Sequence, residues 1–259
     1  MDRGKIEREE RVLRVAMEAG HVLLENGAEI SRVEETMERI TRHYAVESGE
    51  FFVLSNGIFT TGGTDHGFAR VEHIPVHGAR MDRVIAVNQL SREIAAGAIP
   101  LGEAEARLAE IRSAPGHGRG LLAVSSAVGA SAFCVLFGGS LRDALAVLPV
   151  GLLLSFYTQA CSPRLSKLVF SLGGGALVSA LCLLAHTLGL GENFSQMIIG
   201  GIIPLIPGIP FVNGVRDIAG GDYLSGLVRL SDALLVFFGI AGGVWLTLSA
   251  FLPLGGGLL

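Results

Sequence analysis

Apolar residues follow three different rhythms along this chain. Within residues 5–25, Val12, Ala16, Ala19 and Leu23 recur at the spacing of one helical stripe. Asn26-Gly27 predicts the end of that helix, because glycine takes the left-handed conformation of a C-cap without steric cost. A second helix is expected to open at Ser31, where Glu34 three positions on completes a capping box and Ile30 stands ready as a staple. Its stripe is Val33, Met37, Ile40 and Tyr44. The period then shortens. EFFVLSNGIFTTGG is rich in β-formers and breaks at Asn56-Gly57, a strong hairpin signal, and the stretch from Phe68 to Val76 reads as another short strand. Residues 80–96 and 103–112 return to helix. Beyond APGHGRG the pattern changes again, to five apolar segments at 120–139, 143–161, 168–190, 194–212 and 232–254. Each approaches the roughly 20 residues that cross a hydrocarbon core.

The expected architecture is a membrane protein with an N-terminal soluble α+β domain, residues 1–112, and a Gly-rich linker, 113–119. A bundle of five transmembrane helices then fills 120–259. Charge sharpens the division: residues 1–119 hold 15 Lys or Arg against 19 Asp or Glu, while residues 120–259 hold 5 of each. Neither part has the clustered basic excess of a nucleic-acid binder. The acidic N-terminus, MDRGKIEREERVLRV, has no signal-peptide core, so the first domain is expected to stay cytoplasmic. Arg119, Arg164, Lys167, Arg216 and Arg229 fall in loops on that same side, which orients the N-terminus in and the C-terminus out. Gly175-x3-Ser179 and Gly239-x3-Gly243 match the small-residue pattern of close helix packing in a bilayer.

Other chemistry is thin. Cys134, Cys161 and Cys182 lie far apart in apolar segments and suggest buried, inert thiols. His73-x3-His77 has a helical metal-ligand spacing, but Pro75 interrupts it, and with His66 these read as loop histidines, so no metal is expected. There is no Ser-His-Asp spacing, HExxH or phosphate-binding glycine loop, so neither catalysis nor a cofactor is expected.

The informative departure is the fourth apolar segment. Pro204, Pro207, Gly208 and Pro210 break it within seven residues, and Asn213, Arg216, Asp217 and Asp222 follow. Proline removes a backbone donor and clashes with the carbonyl one turn back. In lipid, such a break survives only where protein or a water-filled cavity satisfies the freed groups, and carriers build sites at such breaks. Two readings stand for the charges. They are ordinary residues of a cytoplasmic loop, with Arg216 enforcing topology. Alternatively, they line a re-entrant cavity, where Asn213 and Arg216 face an anionic ligand and Asp217 or Asp222 couples transport to protons. Gln159, in the polar end of the second segment, is either an interhelical hydrogen-bond partner or a further ligand group. His186 is ambiguous in the same way.

Two stretches, LLENGAEISRVEETMERI with EFFVLSNGIFTT, and PLIPGIPFVNGVRDIAGGDYLSGLVRLSDALL, resemble the threonine/serine exporter family. The likeness covers nearly the whole chain. It implies a multi-pass secondary exporter of the bacterial inner membrane, driven by the proton gradient and carrying small hydroxy amino acids. Some split relatives are linked to succinate, which widens the substrate class to small carboxylate metabolites. Full-length members carry a second set of spans, so this chain looks like the larger subunit of a split form that works with a small multi-span membrane partner. A homo-oligomer is the other way to supply a missing half. The resemblance marks Asn213, Arg216, Asp217 and Asp222 as motif positions. The competing reading is a ligand sensor or hydrolase tethered to the membrane and acting through its soluble domain.

Overall fold

The structure, a computed structural model, describes residues 3–46, 49–62, 68–75, 78–162 and 164–251. The chain forms two compact units: residues 1–115 with 209–231, and residues 116–208 with 232–259.

In the first unit, α1 (Arg3–Glu25) buries Val12, Ala16, Ala19 and Leu23, the stripe its sequence predicts. The helix ends where Gly27 adopts φ +82° and Asn26 Nδ2 donates to Val22 O at 2.7 Å. Helix α2 (Ile30–His43) buries Val33, Met37 and Ile40 against α1. Its start differs from the expectation. Ser31 lies inside the helix, the N-cap position is Glu29, and no capping-box bond forms. Glu34 Oε1 instead accepts from Val53 N at 3.3 Å.

Strands β1 (Glu50–Leu54), β2 (Gly57–Gly62) and β3 (Phe68–His73) form an antiparallel sheet in that order. Leu54 pairs with Gly57, so the hairpin tip is Ser55-Asn56, one residue earlier than Asn56-Gly57. Neither tip residue has positive φ, so this is not the type I′ turn that Asn-Gly favours. Partners beyond the hairpin hold it: Asn56 O accepts from Ile74 N at 2.9 Å, and Ser55 N donates to Ser225 Oγ at 3.1 Å. The inward residues Val53, Ile58 and Thr60 are buried with α1 and α2. Helices α3 (Met81–Ala95) and α4 (Leu101–Ser113) close the core with Val87, Leu90, Ile94 and Leu108. Of the three histidines weighed as metal ligands, His66 and His77 lie outside the described residues.

The second unit contains α5 (Arg119–Leu136), α6 (Leu141–Cys161), α7 (Lys167–Thr187) and α8 (Phe194–Ile202). A 3-10 turn at Ile203–Leu205 follows α8. The chain leaves helix at Ile206 and Pro207 and resumes as α9 (Gly208–Gly220), with Pro210 in the first turn, where a missing N–H costs no hydrogen bond. The last helix, α10, runs from Tyr223 to Phe251. Among the described residues, four helices are long and apolar enough to cross a membrane: α5, α6, α7 and α10. The broken pair around Pro207 makes five if it counts as one span.

Small residues set the packing here. A Cβ on Gly175 would press on Ile240 O, and one on Gly243 would press on Leu172 O. One on Gly239 would fall 2.8 Å from Ser171 Cβ. The two small-residue motifs therefore belong to one α7–α10 contact, made at backbone distance. At the other end of the bundle, Asp143 is fully buried and caps its own helix with Ser140. It also accepts from the Glu192 and Asn193 amides at 2.6 and 3.0 Å, which staples the α7–α8 loop to α6. His186 is packed, with Nδ1 3.1 Å from Gly191 O and its ring against Phe194.

Candidate functional site

The segment that carries the sequence motif is helical. In α9, Asn213 and Asp217 stand one turn apart on one face, and Gly214 lies on the face that meets α10. A Cβ on Gly226 would fall 2.7 Å from Gly214 O and 2.5 Å from Ile218 Cγ1. Only glycine allows this approach, which sets Arg229 of α10 opposite Asp217 of α9. Arg229 Nη1 and Asp217 Oδ2 are 3.0 Å apart, with side chains 10% and 1% exposed. Those two atoms meet as charges without the alignment of a hydrogen bond, and among the described residues neither has a hydrogen-bond partner.

The turn between α1 and α2 is gripped by this pair and its neighbours through four consecutive residues. Asn213 Nδ2 donates to Gly27 O at 2.7 Å, and Arg229 Nη2 donates to Ala28 O at 2.8 Å. Arg216 Nη1 lies 3.1 Å from Glu29 Oε2, and Ile30 N donates to Asp217 Oδ1 at 3.1 Å. The last contact explains why Ser31 is not needed as a cap. The first helical amide of α2 is satisfied by a carboxylate 187 residues later in the chain, and a negative charge there also favours the positive end of the helix dipole.

Other carboxylates stand close by. Asp222 is half-buried in the α9–α10 turn, where its amide donates to Asp217 O at 2.8 Å. Burial holds the Glu34 carboxyl above the usual carboxylate range, and the charges of Asp222 and Glu38 push the same way, against the Val53 hydrogen bond. The arrangement can therefore do two things chemically. It holds a buried arginine that would accept a carboxylate if Asp217 withdrew, and it makes that withdrawal sensitive to the charge on Asp217.

Three of the five predicted site residues, Asn213, Arg216 and Asp217, thus share one contact, with Asp222 at its edge. Gln159 belongs to the other unit, where its Nε2 donates to Ser155 Oγ at 3.0 Å. Sequence reasoning missed Arg229, taken only as a loop charge, and the Gly27–Ile30 turn. The available signal was the pair of resemblance-bearing stretches themselves, NGAEI and VNGVRD, which turn out to be the two halves of this contact.

Four apolar helices and a broken fifth candidate segment define a multi-pass helical membrane protein. Behind the break stands a charged motif that seizes a helix turn elsewhere in the same unit. The chain belongs to the threonine/serine exporter family: the family model described as "Putative threonine/serine exporter" matches residues 14–251. It is 23% identical over 252 residues to the "Probable threonine/serine exporter" of Mycobacterium tuberculosis, covering 92% of this chain and 46% of that protein. It is 26% identical to the "Threonine/serine exporter" of Corynebacterium glutamicum, covering 91% of this chain and 50% of that protein. The chain thus spans about half the length of these two relatives. Against the "Probable succinate transporter subunit YjjP" of Escherichia coli it is 24% identical, covering 94% of this chain and 96% of that protein. No solved structure matches.

Proposed function

We propose that this chain is one subunit of a proton-coupled secondary exporter of small carboxylate metabolites, working with a small multi-span membrane partner. The substrate is threonine or serine, or a dicarboxylate such as succinate. The N-terminal unit faces the cytoplasm. The observation that carries the reading is the charged contact behind the broken segment: a buried arginine whose counter-ion, Asp217, also caps α2. Near-full coverage of a relative named as a subunit supports the split organisation.

In the proposed mechanism, Asn213, Arg216, Asp217 and Asp222 handle substrate and coupling ion, Arg229 joins them, and Gln159 acts separately within its own unit. Neutralising Asp217 by a proton removes both the counter-charge of Arg229 and the anion at the α2 N-terminus. The Gly27–Ile30 turn then releases, and loss of the proton restores both contacts. Water need reach the pair only in the released state, which keeps proton and substrate movement linked.

The test is efflux from cells preloaded with labelled serine, threonine or succinate, with this chain expressed alone and together with its small partner. Efflux only with the partner is expected, together with its loss in Asp217→Asn. Efflux from the chain alone would overturn the split organisation. An Asp217→Asn/Asp222→Asn variant with unchanged efflux and pH dependence would overturn the coupling role.

A further inference from the structure

The first unit carries a second charged feature that the export motif does not use. Along one face of α1, Arg14, Glu18 and His21 recur at helical spacing. Facing them are Arg70 and Glu72 of β3 and Arg112 of α4, and the six residues line a cleft of about 190 Å3. It continues past Arg14 and Arg70 into a second hollow of about 170 Å3. Three arginines from three different elements therefore meet two glutamates across one opening.

The glutamates are held in place while the arginines keep donors to spare. Glu72 Oε1 is 2.8 Å from His21 Nδ1, and Glu72 Oε2 is 4.0 Å from Arg70 Nη2. Glu18 Oε1 is 3.3 Å from Arg112 Nη1. Arg14 is exposed and has no hydrogen-bond partner among the described residues. A guanidinium offers five N–H donors, so each arginine retains capacity for a carboxylate after its internal contact is made.

We propose that this cleft binds a small α-amino acid as a zwitterion, at a site separate from the export motif. Arg14 and Arg70 take the carboxylate, and Glu18 and Glu72 take the ammonium. The second carboxylate of a dicarboxylate would stand beside Glu18 and Glu72 with only Arg112, already paired to Glu18, to meet it. The main hollow has about six times the ~30 Å3 that one water occupies in the liquid, enough for a ligand of a few heavy atoms. The placement gives such a site a consequence. A ligand bridging α1 to β3 and α4 stiffens the helix whose C-terminal end leads directly into the Gly27–Ile30 turn. Occupancy of the cleft and the grip on that turn are then coupled through one rigid element. The proposal does not rest on the export reading, which efflux decides separately.

The experiment is isothermal titration of the full chain in lipid nanodiscs with L-serine and, in parallel, succinate. Serine should bind, and succinate should bind at least about tenfold more weakly. Arg14→Gln with Arg70→Gln should weaken serine by about ten- to a hundredfold, the loss of a charge-assisted hydrogen bond. Arg42→Gln, which removes the same charge from an exposed site on α2, should leave binding unchanged. Glu18→Gln should narrow the gap between serine and succinate, a change that mere loss of folding would not produce. The proposal is overturned if serine does not bind, if succinate binds as well as serine, or if the cleft and Arg42 variants lose binding equally.

Discussion

The grip of α9 and α10 on the α1–α2 turn makes a quantitative prediction. Asp217→Asn keeps a side-chain oxygen for the Ile30 amide but leaves Arg229 buried without its counter-charge. Removing one member of a buried ion pair costs about 3–5 kcal/mol, most of it the penalty on the partner left behind. Asp217→Ala loses the helix cap as well, which adds about 1 kcal/mol. Arg229→Gln should cost about as much as Asp217→Asn, because it leaves a buried carboxylate. The double variant Asp217→Asn/Arg229→Gln removes both charges and should recover about 2 kcal/mol or more of the summed losses, since contacting residues are not additive. Hydrogen exchange read on peptides spanning residues 26–35 reports this locally. With each ~1.4 kcal/mol a factor of ten, the single variants should speed exchange of the Ile30 amide about a hundredfold or more. If the singles exchange at the wild-type rate, or the two losses simply add, the buried pair does not hold the turn.

Glu34 and the glycines give two further tests. Burial raises the Glu34 carboxyl above its unfolded range, so folding favours the protonated form. The stability this group contributes is complete below the unfolded carboxylate range and is lost as pH rises through the raised folded value. Glu34→Gln, which keeps an acceptor for Val53 N, should abolish that fall in a denaturation series from about pH 4 to about pH 7 and be the more stable protein at neutral pH. In α10, Gly243→Ala should lower the thermal midpoint in detergent by an amount equivalent to about 1–3 kcal/mol, because its Cβ meets the α7 backbone at Leu172. The neighbouring Gly242→Ala meets nothing within 4 Å and should leave the midpoint unchanged or raise it slightly.

Much of this architecture was legible in the residues. The stripes of α1 and α2 follow from their 3.6-residue period, and the apolar segments announce themselves by length. The glycine motifs of α7 and α10 were visible as patterns, although only the fold shows that they meet each other. What failed was the reading of ends and of distant partners. Ser31 looked like a cap because the capping box is a local rule, and the carboxylate that serves α2 lies 187 residues away. The stretch after Val212 looked like loop because the apolar run had ended. Its period nevertheless continues through Val215 and Ile218, and α9 extends to Gly220. Arg229 was read for orientation alone, because a buried role depends on a partner that no periodicity can name. The hairpin tip shifted by one residue for the same kind of reason, since Ser225 and Ile74 hold Ser55 and Asn56.

The discontinuity of the first unit also has a meaning for how the protein is made. Residues 1–115 leave the ribosome first, yet the segment 209–231 that completes their unit is still to be synthesised. At about 5–20 residues per second, the intervening stretch of roughly 90 residues takes between roughly 5 and 20 s. Throughout that interval the α2 N-terminus has no Asp217 and Ala28 has no Arg229, while α5 to α8 are being inserted into the bilayer. Closure of the N-terminal unit therefore waits until synthesis has reached α10, because the contacts of Asp217 and Arg229 with the α1–α2 turn cannot form before then.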